Sequence, residues 1–279
     1  MVPVLCVVCG ARPVMGDGGR CYACAEAASH WPRDFRSPKV AAVVAVVLLV
    51  LSGLLAAGVL VADVLGVRAV GLVLADADDV EGYDLLDSLA ALETATNGAS
   101  LFLLLVTAVS FVVWFRRIRA NADLFVPNGH RLGSGWAIGA WFTPLVGLWF
   151  PWQLVVDCWL ASGPVDPEGR RRTVSHWLVS AWWTTWTGSL LAPRIARALV
   201  RTGPGVDEED LRLEAVRTAL QVEVVGNALR VAAAVLAVLV VWRLTEMQIA
   251  RAAVARRPGA RPVPPQEPFG TRPVSGAVS

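Results

Sequence analysis

Four of the five cysteines stand in two short pairs, Cys6-x2-Cys9 and Cys21-x2-Cys24. Each pair turns two thiolates toward one point, and four sulfurs suit a tetrahedral ion. The expected ligands are therefore Cys6, Cys9, Cys21 and Cys24, and the expected cofactor is zinc. All four coordination positions are filled by protein, which marks a structural site; a catalytic zinc keeps one position open. Gly10 follows the first pair, where a knuckle turn often needs a residue free of the Cβ penalty, and Ala25 after the second is a small departure. Gly16-Asp17-Gly18-Gly19 between the pairs suits a hairpin turn. Residues 1–36 hold too few aliphatic side chains to fold alone, so metal binding would supply their folding energy. The spacing between the pairs is shorter than in the usual soluble signature. A disulfide pair, free thiols or a rubredoxin-like iron share the same residues; zinc is the preferred reading.

Outside that segment the chemistry is sparse. The chain has only three histidines, His30, His130 and His176, and no hydrolase, kinase, nucleotide-binding or zincin motif. Asp157, His176 and Glu246 would meet at a cytoplasmic face if residues 135–162 re-enter the membrane. Each lies near an expected helix end, where a polar group reaches water, so no catalytic residue is assigned. Tryptophan offers a second kind of site. Trp141, Trp149, Trp152, Trp182 and Trp186, with Asp157 and His176, are candidates to line a groove for a lipid or other apolar ligand. Interhelical packing is the plainer account of the same rings and is preferred.

These residues are set in long apolar runs. Hydrophobic residues make up 55% of the chain and charged ones 17%, and the charges gather between the runs. The pattern predicts an all-α polytopic membrane protein in which the bilayer replaces most of a soluble core. The expected domains are a zinc-ribbon-like module at 1–36, a helical transmembrane domain at 37–255 and a disordered, Pro- and Gly-rich tail at 256–279. Full spans are expected at about 40–62, 98–115, 174–191 and 222–242. Residues 63–97, rich in acids, read as an outer loop with a short amphipathic helix. The stretch 135–162 holds five of the twelve tryptophans and is interrupted by Pro144 and Pro151. It reads as a broken, re-entrant helix packed among the four spans; the alternative is a kinked fifth span.

Charge bias sets the sides. Arg33, Arg36 and Lys39 precede the first span and the acidic stretch follows it, which puts the N-terminus in the cytoplasm. That compartment keeps thiols reduced for metal ligation. Re-entry of 135–162 keeps Arg170–Arg172 and the Arg-rich C-terminal end inside; a fifth crossing exports them. The cost of re-entry is that Arg194, Arg197 and Arg201 lie outside, among acids. Basic residues are nearly all arginine, which with the abundance of Ala, Val, Gly and Pro points to a GC-rich bacterial genome and so to a bacterial plasma membrane.

The segments WFRRIRANADLF, GWAIGAWFTPLVGLWFPWQLVVDCWLAS, HWLVSAWWTTW and RLTEMQ resemble the bacterial membrane family called domain of unknown function 4328. The likeness covers roughly residues 95–250 and rests on Trp114, Asn121, Trp136, Trp141, Pro144, Trp149, Pro151, Trp159, Trp182, Trp183 and Gln248. An N-terminal cysteine knuckle is similar to that of some relatives. The resemblance implies an integral membrane protein and supplies no activity. The favoured function is a non-enzymatic interaction or sensing protein: a cytoplasmic zinc module tethered to membrane helices, with the bilayer and a cytoplasmic protein as partners and no sign of nucleic acid. The alternatives are a small transporter or channel using 135–162, and a membrane enzyme using Asp157 and His176. No oligomeric state follows from the sequence.

Overall fold

The computed structural model describes residues 5, 6, 13, 21, 34–76, 79–126, 130–133, 135–143, 146–164, 174–202 and 209–255. Its elements are helices α1 (Lys39–Ala75), α2 (Val80–Phe125), α3 (Trp136–Phe142), a 3-10 turn (Val146–Leu148), α4 (Phe150–Ser162), α5 (Trp177–Thr202) and α6 (Glu209–Ala255). Among the described residues the only β-pairing outside helices is an isolated antiparallel bridge between Leu5 and Pro13. The tail from Arg256 lies outside the described residues.

The helices run well past the apolar stretches that predict them. α1 has 37 residues, α2 46 and α6 47. At 1.5 Å per residue these are about 55, 70 and 70 Å long, against an apolar bilayer core of about 30 Å. No proline interrupts any of them, and a helix once nucleated extends cheaply through Ala, Leu and Glu. The acidic stretch is therefore not a loop carrying a short surface helix. Its residues 63–75 belong to the end of α1 and 80–97 to the start of α2. The link between those helices is short. Asp79 caps α2 by accepting from Glu81 N at 3.2 Å. A Cβ on Gly82 would fall 2.8 Å from Val73 Cγ2 and 3.2 Å from the Ala69 carbonyl oxygen, so the returning helix needs glycine there.

α1, α2 and the Leu213–Ala253 part of α6 are long and apolar enough to cross a membrane. With its uncovered apolar flanks, such as Val43, Leu54, Leu101, Phe102, Val109 and Leu239, the chain is an integral membrane protein. α5 begins at Trp177, three residues later than the run that predicts it, and carries Pro193, Arg194, Arg197 and Arg201 in its second half.

The chain forms two compact units. One consists of Val43–Phe111 and Trp177–Val241. Within it small residues bring helices close. A Cβ on Gly53 would lie 3.1 Å from Ala234 Cβ, one on Gly188 3.3 Å from Leu229, and one on Gly226 2.3 Å from Ala192 Cβ. Polar pairs join the same helices: Ser52 and Thr107 hydroxyls at 3.0 Å, and Asn227 Nδ2 donating to Asp63 at 2.7 Å. Phe111 packs on Trp182 with ring centroids 5.7 Å apart.

The other unit holds the residues up to Ala42, Val112–His176 and those from Trp242 on. The stretch expected to be a broken helix is broken, into α3, the 3-10 turn and α4. Pro151 lies in the first turn of α4, where a missing N–H costs nothing, so it starts a helix. Thr143, the last residue before the break, is extended at ψ 118°. The chain then doubles back. The Trp136 and Phe150 rings meet at 5.1 Å, and a Cβ on Gly147 would approach the Ala140 carbonyl oxygen to 3.3 Å. α3 and α4, with 7 and 13 residues, are about 10 and 20 Å long.

Candidate functional site

The second unit is organised by polar side chains that are almost wholly buried. On α2, Trp114, Ile118, Asn121, Ala122 and Phe125 recur at helical spacing and are buried. On α6, Leu244, Thr245, Gln248, Arg251 and Ala252 form the matching stripe. The α2 stripe is apolar with one amide in the middle, whereas the α6 stripe sets Thr245, Gln248 and Arg251 between Leu244 and Ala252.

Those two amides meet. Asn121 Nδ2 donates to Gln248 Oε1 at 3.0 Å. Asn121 also grips the backbone of Arg36, accepting from its N–H at 3.2 Å and donating to its carbonyl at 2.9 Å. Gln248 Nε2 donates to the Ile118 carbonyl at 2.9 Å and to Ser162 Oγ at 3.2 Å. One turn to either side, Trp114 Nε1 donates to Thr245 Oγ1 at 3.0 Å, and the Arg251 guanidinium donates to the carbonyls of Ala161 and Gly163. Arg251 also stacks over Phe125 at 4.8 Å, and Phe125 packs on Phe35. The network thus ties four chain segments: the approach to α1, the end of α2, the end of α4 and the end of α6. It holds only one fixed charge, that of Arg251, which serves as a donor to helix-terminal carbonyls.

A charged cluster stands beside it. Arg119 binds Asp123 one turn on and donates to the Leu132 carbonyl at 2.9 Å. His130 Nε2 lies 3.4 Å from Asp123 Oδ1. Burial holds the His130 imidazole below its ordinary pKa, and the nearby Arg119 charge adds to this against the pull of Asp123 and Asp157. Asp157, fully buried on α4, accepts from Arg131 Nη2 at 2.7 Å, from Nε at 3.0 Å and from the Arg131 N–H at 3.2 Å. This bidentate fork fixes the turn before α3 to the side of α4.

The residues expected to act together are engaged separately. Asp157 is taken up by Arg131, His176 packs edge-on against Trp152 at 6.4 Å, and Glu246 accepts from Trp242 Nε1 at 2.6 Å. Among the tryptophans of the expected groove, Trp141 packs against Phe115 at 6.0 Å and caps back on Ala137 at 3.1 Å. Trp149 packs edge-on against Phe150 and is itself exposed. Trp182 lies in the other unit with Phe111 and Trp183, and Trp186 is on α5 in that unit. Of the expected metal ligands, Cys6 and Cys21 are buried, with 1% and 3% of their surface exposed, while Cys9 and Cys24 lie outside the described residues. Among the described residues no group of three metal-ligating side chains gathers.

Sequence reasoning missed Arg36, Arg131, Ser162, Thr245 and Arg251. Four of them, Arg36, Arg131, Ser162 and Arg251, act wholly or partly on or through the backbone, which leaves no mark in residue type. Thr245, Gln248 and Arg251 at helical spacing in an otherwise apolar stripe were the readable signal.

A family model described as "Domain of unknown function (DUF4328)" matches residues 77–246, more than half of the chain. The match takes in Asn121 and all of α3 and α4, and stops two residues before Gln248. No curated protein and no solved structure matches.

Proposed function

The chain belongs to the DUF4328 family, whose description names no activity, and from its own residues we propose a non-enzymatic membrane protein that couples a cytoplasmic zinc module to a re-entrant hairpin. In this reading α1, α2, α5 and α6 cross a bacterial plasma membrane, α3 and α4 enter and leave on one side, and both ends of the chain are cytoplasmic. Residues 1–36 bind structural zinc through Cys6, Cys9, Cys21 and Cys24.

One observation carries the coupling: the backbone of Arg36, at the point where the cysteine segment hands over to the helices, is held from both sides by Asn121. The same Asn121 is joined through Gln248 to Ser162 at the end of α4. A change of position at residue 36 must therefore be felt at the hairpin, which suits sensing or partner-controlled function. Re-entry draws support from lengths. Neither α3 nor α4 reaches about 30 Å, and because the chain reverses between them their lengths do not add. It also draws support from Ser162 and Gly163, which are bonded to the same α6 turns as the basic end of α2. Four spans then keep Arg116–Arg119, Arg170–Arg172 and Arg251 on the cytoplasmic side. The zinc reading is helped by Leu5 bridging Pro13 across the first cysteine pair, as a knuckle hairpin would, and by the burial of Cys6 and Cys21.

The coupling is tested by hydrogen exchange on the full-length protein in nanodiscs with and without a zinc chelator. Faster exchange confined to residues 1–36 would defeat it; the expected result is faster exchange in both 1–36 and the α4 end.

A further inference from the structure

In the unit made of Val43–Phe111 and Trp177–Val241, Asp63 is the only acid that α1 contributes, and it stands where the apolar run 40–62 ends. It meets α6 at Asn227, which is 4% exposed. The Asn227 amide is held at both ends: Nδ2 donates to Asp63 Oδ2 at 2.7 Å, and Oδ1 accepts from Arg230 Nη1 at 3.1 Å. A guanidinium on its oxygen and a carboxylate on its nitrogen polarise the amide in one sense, so each bond strengthens the other. The tie lies between two close approaches of the same helices. A Cβ on Gly53 would fall 3.1 Å from Ala234 Cβ, and one on Gly66 3.4 Å from Leu220 Cδ1.

All four helices of the unit bring charge to this place. Asp63 feels Glu93 of α2 and Arg230 of α6. Glu223, one turn before Asn227, feels Asp63, Arg230, Arg197 of α5 and Glu93. Three carboxylates thus stand against two guanidiniums, and among the described residues none of the five forms a direct ion pair. One negative charge is left over, and repulsion among carboxylates in a partly buried site is relieved by a proton. Asp63 and Glu223 lie at the same end of the apolar runs 40–62 and 222–242, so water delivers that proton without a passage through the apolar core.

We propose that Asp63, Asn227 and Glu223 form an acid-operated latch between α1 and α6: a proton neutralises Asp63, the amide loses its charged acceptor, and α1 moves away from α6 between Gly53 and Gly66. A neutral carboxyl still accepts from Asn227, but without the charge that makes such a bond about twice as strong. Glu223 sets the point of release, because its own charge opposes that of Asp63. The glycine contacts to either side are van der Waals packing and do not replace a charged hydrogen bond. The latch works in the same way whichever side of the membrane this end faces.

The test is a pulsed electron–electron resonance distance between spin labels on α1 and α6 of the full-length protein in nanodiscs. The labels are carried by a ketone-bearing amino acid placed at Val64 and Val225, both exposed, which leaves the native cysteines untouched. From about pH 7.5 to about pH 5 the separation should lengthen by about 2 Å and broaden. Asp63→Asn, the neutral isostere, should show the longer separation at both values. Glu223→Gln should keep the response but move its midpoint about one unit toward lower pH, because Asp63 then loses a repelling neighbour. His130→Gln, in the other unit, should respond as wild type does. Any of four results overturns the proposal: a constant separation in wild type, a wild-type response in Asp63→Asn, an unmoved midpoint in Glu223→Gln, or a lost response in His130→Gln. If Asp63→Asn fails to fold by thermal unfolding, Glu223→Gln decides alone: an unmoved midpoint refutes the latch.

Discussion

Asn121 and Gln248 stand 127 residues apart in sequence, and their side-chain amides share a buried hydrogen bond of 3.0 Å. Every polar atom of this pair has work assigned: Asn121 to the Arg36 backbone, Gln248 to the Ile118 carbonyl and Ser162. Asn121→Ala would strand the Arg36 N–H and carbonyl and Gln248 Oε1. Groups left without partners cost about 1–3 kcal/mol where water cannot reach them, so a net loss of about 2–4 kcal/mol is expected. Thermal unfolding in nanodiscs reads this. A double-mutant cycle with Gln248→Ala should give a coupling of about 1 kcal/mol or more; purely additive effects would mean that the two amides act independently.

Topology is open to a labelling experiment. Ser162 is buried and would be silent, so the reporter belongs at Pro164, which is exposed. With native cysteines replaced, Pro164→Cys should resist a membrane-impermeant maleimide added to intact cells, and Ser88→Cys on α2 should react. Reaction at position 164 from outside would establish a fifth crossing.

Metal analysis checks the N-terminal module. Purified protein should carry about one zinc per chain, lost on Cys21→Ser while the helices remain inserted. Metal-free protein with all four N-terminal thiols promptly alkylated would rule the module out.

Acid should weaken the end of α2 through His130. Burial and Arg119 keep its folded pKa below the ordinary value. The unfolded chain therefore takes up this proton first as pH falls. The stability it contributes is intact above the unfolded pKa of about 6.5 and is lost as pH drops through that value toward the lowered one. His130→Gln should flatten the dependence of Tm on pH in that window. An equal slope in wild type and variant would assign the acid sensitivity to other groups.

Gly226 is a steric test of the α5–α6 packing. A Cβ there would sit 2.3 Å from Ala192 Cβ, so Gly226→Ala must push the helices apart. A loss of about 1–3 kcal/mol is expected by analogy with overpacking, and Ala192→Gly in the same chain should recover part of it. A neutral Gly226→Ala would mean that the contact is loose.

The helical class, the membrane setting and the break in 135–162 were legible because hydrophobic runs and proline positions report local geometry directly. Helix ends were not. Span prediction stops where apolarity stops, at Ala62 or Phe115, but nothing in Asp63–Ala75 or Arg116–Phe125 stops a helix. Asn121 and Gln248 were visible as polar residues in a shared sequence pattern, yet their pairing depends on which turns of α2 and α6 face each other. Asp157 reads from the sequence as an acid near a helix end within reach of water, and instead it is fully buried against Arg131; that partner was not legible, because a turn residue's reach depends on a loop conformation that composition does not encode.

The clamp on α4 also imposes an order on synthesis. Ribosomes deliver Ala161 and Gly163 long before Arg251, the side chain that donates to their carbonyls, some 88 to 90 residues later. Until then the hairpin leaves the insertion machinery with its last turn unanswered and Ser162 without Gln248. A nascent chain arrested before α6 should hold α3 and α4 loosely, open to a membrane-protein chaperone or a quality-control protease. Completion of the C-terminal helix would be the event that closes that exposure.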